Sequence, residues 1–97
     1  MKRQNAQSLG DAIRLYLGEK QTFNRKLLEN RVINSWSELM GHTVASYTSQ
    51  VEIRRQKLYV TLTSSVLRHN LMLSRQEIIQ KINEKIGSEV ITDIVFR

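Results

Sequence analysis

Apolar and polar residues alternate along two short runs in the middle of the chain, residues 51–54 and 58–63. An alternation with a period of two is typical of strands whose sheet is covered on one face. The two runs therefore predict a β-hairpin with Arg54–Lys57 at its exposed tip. The residues predicted to face the core are Val51, Ile53, Leu58, Val60 and Leu62.

Apolar residues recur at helical spacing after the hairpin, from Ser65 to Ile86. Ser64 and Ser65 supply hydroxyls that accept from the first free N–H groups of a helix. Ser74 followed by Glu77 has the spacing of a capping box, which favours a break into two helices. Gly87 ends the second helix, and Val90 to Phe96 is predicted to form a third strand with Ile94 and Phe96 facing inward.

Two helices are predicted before the hairpin, over Leu9–Leu17 and Asn24–Met40, with Gly18 and Gly41 as their C-terminal stops. Trp36 lies in the apolar stripe of the second helix, so its predicted role is in the core. The element order ααββα(α)β predicts an α+β fold with two layers and a three-stranded mixed sheet. We expect one domain over residues 8–97, preceded by a flexible basic arm over residues 1–7.

Charge favours a polyanionic partner, because 15 Lys and Arg against nine Asp and Glu give a net charge of +6. The chain has no cysteine, and its two histidines are isolated, so we expect neither a metal nor another cofactor. Carboxylates are scattered and no glycine-rich phosphate loop is present, which argues against an enzyme and a small-molecule substrate. No signal or membrane-spanning segment is apparent, and the expected location is the cytoplasm.

Basic residues around the hairpin are the predicted contacts to nucleic acid phosphates. They include three cations at the tip, two on or after the next helix and two on the arm: Arg54, Arg55, Lys57, Arg68, Arg75, Lys2 and Arg3. No set of side chains suits base reading, so binding to single- or double-stranded DNA should tolerate any sequence and weaken with salt. A second predicted surface, for a protein partner, is an apolar row on the outer sheet face formed by Tyr59, Ile91 and Val95.

Five segments, taken in order, resemble the DciA family of proteins associated with the bacterial replicative helicase. They are WSELMG at 36–41, the approach to the first strand at 48–51, LYVTLTSSVLRHNL at 58–71, IIQKINEKIG at 78–87 and DIVFR at 93–97. The resemblance covers the chain from about Leu9 and is greatest to the short versions found in Bacteroidetes-type bacteria. Within these segments the resemblance implies structural roles for Trp36, Gly41, Ser65, Leu71 and Gly87.

The resemblance implies a K-homology-like fold of type II and a protein that binds DNA while assisting the replicative DNA helicase. One departure is the hairpin tip, where RRQK replaces an Asn-Gly or Asp-Gly turn and predicts a longer or looser loop. Two alternatives remain. One is a K-homology-like RNA-binding protein, although the chain lacks the GxxG loop of that fold. The other is a protein adaptor that binds no nucleic acid.

Overall fold

A computed structural model describes the backbone from Lys2 and the side chains from Phe23 to Arg97. Its elements are α1 (Lys2–Ser46), β1 (Thr48–Arg54), β2 (Lys57–Leu62), α2 (Ser65–Leu73), α3 (Arg75–Ile86) and β3 (Asp93–Phe96). Strand β2 lies in the middle of the sheet, antiparallel to β1 and parallel to β3. The predicted α+β class, the mixed three-stranded sheet and the helix pair between the last two strands are confirmed.

The core lies between the sheet and the helices. The predicted alternation is confirmed on β2 and β3, where Leu58, Val60, Leu62, Ile94 and Phe96 are buried while the residues between them are more exposed. From the helices, the buried apolar residues are Val32, Trp36, Leu71, Ile78, Ile79 and Ile82. All the described helices therefore cover one face of the sheet.

Trp36 is in the core, as predicted, with 1% of its surface exposed. Its ring centroid lies 6.4 Å from that of Phe96, with the ring planes at 46°. The indole Nε1 donates a 3.1 Å hydrogen bond to the Thr48 hydroxyl, which in turn donates to the Val44 carbonyl at 2.7 Å. These two bonds join the end of α1 to the start of β1 and satisfy the one polar group of the indole.

The break between α2 and α3 occurs at Ser74, as predicted, but the capping box is absent. Among the described residues the Ser74 hydroxyl caps neither helix. Its backbone N–H donates to the Leu71 carbonyl of α2, and its carbonyl accepts from the Ile78 N–H of α3. The hydroxyl that does cap a helix is that of Ser64, which accepts from the Leu67 N–H at 3.2 Å. Gly87 ends α3 in the left-handed conformation, with φ 84° and ψ 15°.

The prediction of two helices before the hairpin is wrong at Gly18, because α1 continues through it from Lys2 to Ser46. A glycine inside a helix lowers the stability of the helix by only about 1 kcal/mol relative to alanine, so a helix with good helix-forming residues on both sides can continue. Gly41 does interrupt the helix, at φ 90° and ψ 170°, before one more turn reaches Ser46. The flexible arm predicted over residues 1–7 stays a prediction, since its side chains lie outside the described residues.

Ile91 does not lie on the outer face, because β3 begins only at Asp93 and the alternation cannot be extended back to it. It is fully buried in the core together with Val90. The Asn83 side chain holds this segment, accepting from the N–H groups of Val90 and Ile91 at 3.0 and 3.2 Å and donating to the Ile91 carbonyl at 2.9 Å. These bonds replace the strand pairing that the segment lacks.

No helix in the described part of the chain is long and apolar enough to cross a membrane.

Candidate nucleic-acid interface

The hairpin tip is a tight turn, which corrects the prediction of a longer or looser loop. Arg54 pairs with Lys57, and only Arg55 and Gln56 lie between them, at φ 51° and 66°. Positive φ at both central residues is the signature of a type I′ turn, whose twist matches that of the two strands. The Gln56 carbonyl accepts a 2.8 Å hydrogen bond from the Thr92 N–H, which fixes the tip to the segment before β3.

Cations surround a concavity of about 380 Å³ at this tip, lined by Arg54, Arg55, Lys57 and Tyr59. The tight turn brings these cations together, since Arg54 and Lys57 are direct cross-strand partners whose side chains share the outer face. Arg55, at the turn itself, is exposed. The three tip cations predicted to bind phosphates therefore share one surface.

The outer side of the sheet, which we call the open face, carries Glu52, Arg54, Tyr59, Val95 and Arg97. Tyr59 is at its centre, paired in register with Glu52 on β1 and Val95 on β3. The guanidinium carbons of Arg54 and Arg97 lie 4.6 and 5.0 Å from the Tyr59 ring centroid, within the range of a cation–π interaction. This face therefore combines an aromatic ring with two cations.

Glu52 joins the two arginines of the open face. One oxygen, Oε1, lies 3.2 Å from Nη2 of Arg54 and 2.7 Å from Nη2 of Arg97. The side chain of Glu52 is 33% exposed, compared with 61% and 43% for Arg54 and Arg97. Glu52 balances one of the four positive charges of Arg54, Arg55, Lys57 and Arg97, which leaves an excess of three in this group.

Arg68 lies away from the tip, although the sequence placed the two together. Its Nη2 donates to the carbonyl of Leu62, at the far end of β2, roughly 16 Å along the strand from Lys57. Its Nε is buried and has no hydrogen-bond partner among the described residues. Arg68 therefore holds the end of β2 against α2, and its guanidinium does not join the tip cations.

Arg75 lies at the tip end of the sheet, because its Nε is 3.6 Å from a carboxylate oxygen of Asp93, the β3 partner of Lys57. It can extend the positive surface, although Asp93 offsets its charge. Lys2 and Arg3 belong to the part of the chain whose side chains the structure does not describe, and their predicted contacts stay predictions.

The predicted apolar row for a protein partner is reduced to Tyr59 and Val95, which are half-buried neighbours on the open face. Ile91 is removed from it by burial. The alternation of β1 placed Glu52 on this face without a role, and sequence reasoning missed Arg97 as a member of it. The signal was present in the closing DIVFR segment, because Arg97 has the same alternation phase as Val95.

The family model described as "Dna[CI] antecedent, DciA" matches residues 8–96. The chain is similar to a UPF0232 protein of Corynebacterium glutamicum (strain R), with 29% identity over 89 residues that make up 92% of this chain and 49% of the relative. It is also similar to a UPF0232 protein of Mycobacterium leprae (strain TN), with 24% identity over 78 residues, 80% of this chain and 41% of the relative. The chain thus spans about half the length of these curated relatives. No solved structure matches it significantly.

Proposed function

The chain belongs to the DciA family, and from this premise we propose that it is a non-enzymatic, cytoplasmic DNA-binding protein that assists loading or operation of the bacterial replicative helicase. The helicase supplies the ATPase, and this chain supplies a positive surface for DNA. The observation that carries the proposal is the gathering of Arg54, Arg55 and Lys57 at one end of a sheet whose open face adds Arg97.

Charge and geometry together favour phosphate as the ligand of this surface. Guanidinium groups bind phosphate oxygens through paired N–H donors, and the tight turn orders three cations without the entropic cost of a mobile loop. Contacts to phosphate carry no sequence information, so the protein should bind DNA of any sequence.

The test is a fluorescence-anisotropy titration of labelled DNA, single-stranded and duplex, at several salt concentrations between about 50 and 200 mM. Four phosphate contacts, from Arg54, Arg55, Lys57 and Arg97, give a log–log salt slope near −3.6 on duplex and near −2.8 on a single strand. The variant is the triple substitution R54Q/R55Q/K57Q. The control neutralises three exposed cations of the helical layer instead, Arg31, Lys81 and Lys85.

We expect the tip variant to bind about tenfold or more weakly and to lose roughly three quarters of the slope, because three of four contacts are removed. The helical-layer control should keep most of the slope. Equal effects of the two triple variants would contradict the proposal, since they would indicate a general charge effect. Tighter binding of an RNA strand than of the matching DNA strand, in competition, would favour the RNA-binding alternative.

Assistance of the helicase needs its own test. The protein should co-purify with the replicative helicase of the same organism, and the tip variant should do so equally well if DNA and helicase use different surfaces. Absence of any complex by size-exclusion chromatography, with and without DNA, would refute the helicase part of the proposal while leaving the DNA-binding part intact.

A further inference from the structure

The open face presents a cation, an aromatic ring and a second cation in a row that crosses all three strands. Arg54 ends β1, Tyr59 lies on β2, and Arg97 follows β3. Arg97 is opposite Thr61, four residues along β2 from Lys57, the partner of Arg54, and neighbouring strands are about 4.8 Å apart, so the two arginine backbones are roughly 16 Å apart. Both guanidinium carbons nevertheless lie within 5.0 Å of the ring centroid. The two side chains therefore lean inward from the sheet edges towards Tyr59.

Folding stability does not account for this arrangement. Exposed ion pairs contribute little to stability, and the side chains of Glu52, Arg54 and Arg97 are each a third or more exposed. The single Glu52 oxygen shared by both guanidinium groups has the charge and hydrogen-bonding capacity of a phosphate oxygen. A phosphate can therefore take its place without any change in the fold.

The aromatic ring between the cations favours a single strand over a duplex. An unpaired base has free faces that stack on an aromatic side chain, whereas the bases of a duplex are stacked on one another. A backbone crossing the sheet would draw the guanidinium groups of Arg54 and Arg97 from the Tyr59 ring to its phosphates, and this would free a face of the ring for a base. The sequence of the base is immaterial, because every base has a face to stack.

We propose that the open face binds single-stranded DNA, with one base stacked on Tyr59 and the flanking phosphates on Arg54 and Arg97, and that Glu52 is an internal competitor displaced by the strand. This inference rests on the proposed DNA-binding function and adds the form of the ligand and the role of the carboxylate. Glu52 thereby lowers the affinity of the site, which suits a protein that must release DNA to a helicase.

The first test compares Tyr59→Leu with Tyr59→Phe, which keeps the ring. Affinities are measured for a strand of about 16 nucleotides and for the duplex of the same sequence. We expect Tyr59→Leu to weaken single-strand binding about 5- to 150-fold, the range for loss of one stacked base, and to weaken duplex binding by a smaller factor. Tyr59→Phe should stay near the wild-type value. Equal losses on strand and duplex, or no loss on the strand, would overturn the stacking role.

The second test is Glu52→Gln, with Glu84→Gln on α3 as a control of identical charge change. Release of both arginines should tighten single-strand binding and leave the salt slope near −2.8, because the four contacts behind that value already include Arg54 and Arg97. The control should leave the affinity near that of the wild type. Weaker binding by Glu52→Gln would show that the carboxylate positions the arginines for DNA and would overturn its role as a competitor.

The two levels of the proposal fail in different ways. If the wild-type protein binds no DNA, the proposed function and this inference both fall. If it binds DNA and loses affinity on neutralisation of the tip, while Tyr59→Leu and Glu52→Gln have no effect, only this inference falls. Thermal unfolding of each variant shows whether a loss of binding is a loss of fold.

Discussion

Gln56 occupies a backbone conformation that suits glycine, so Gln56→Gly should stabilise the protein. Gln56 has φ 66° as the second central residue of the turn. The left-handed conformation costs about 1–2 kcal/mol for a residue with a Cβ atom, while the greater freedom of glycine in the unfolded chain costs about 0.5–1 kcal/mol. The expected net gain is therefore about 0.5–1 kcal/mol. The hydrogen bond from Thr92 is kept, because its acceptor is the backbone carbonyl of residue 56.

The assay is thermal unfolding followed by circular dichroism, where this gain corresponds to a rise in Tm of about 2–8 °C for a chain of this size. DNA affinity should stay within about twofold of wild type, because Gln56→Gly removes no cation. Arg55→Asn is the companion variant: it relieves the other left-handed residue but also weakens DNA binding. An unchanged or lower Tm for Gln56→Gly would refute the reasoning, since it would mean that residue 56 carries no backbone strain.

Three further substitutions test the packing and the backbone. Trp36→Ala should cost about 3–5 kcal/mol, the range for a large buried aromatic, measured by urea unfolding; a cost below about 1 kcal/mol would contradict its core role. Gly41→Ala should lower the free energy of unfolding more than Gly87→Ala, although both positions have room for a methyl group. The reason is that the backbone angles of Gly41, φ 90° and ψ 170°, are accessible essentially to glycine alone. The reverse order would refute this. Asn83→Ala should cost about 2–4 kcal/mol through three lost hydrogen bonds, and Asn83→Asp, which keeps the acceptor but not the donor to Ile91, should cost less. Equal costs would mean that the donor, and not the two accepted bonds, carries the effect.

Features set by local chemistry were predictable from the sequence. The alternation on β2 and β3 identified the buried residues, because burial on one face imposes a period of two whatever the partner strand is. Gly87 marked the end of α3 since few other residues adopt the left-handed conformation there. The tip cations were also predictable, because a polar run between two alternating segments must lie at the exposed end of a hairpin.

Features set by tertiary contacts were not predictable. The tight turn appears only in the register of β1 and β2, which forces Arg55 and Gln56 into conformations that their residue types disfavour. Arg97 reaches Tyr59 through a parallel pairing between residues 36 positions apart. Arg68 looked like a free surface cation, and only the path of α2 shows that its guanidinium is used by the Leu62 carbonyl.

The burial of Trp36 has a practical consequence for spectroscopy. As the one indole of the chain, it lies on the helical side of the sheet, bonded to Thr48 and shielded from anything that approaches the other side. Its fluorescence emission should therefore change when the domain unfolds and hardly change when a ligand binds to the opposite surface. A fluorescence titration with unlabelled oligonucleotide would need a fluorophore placed elsewhere, and an unchanged tryptophan signal would not mean that nothing is bound.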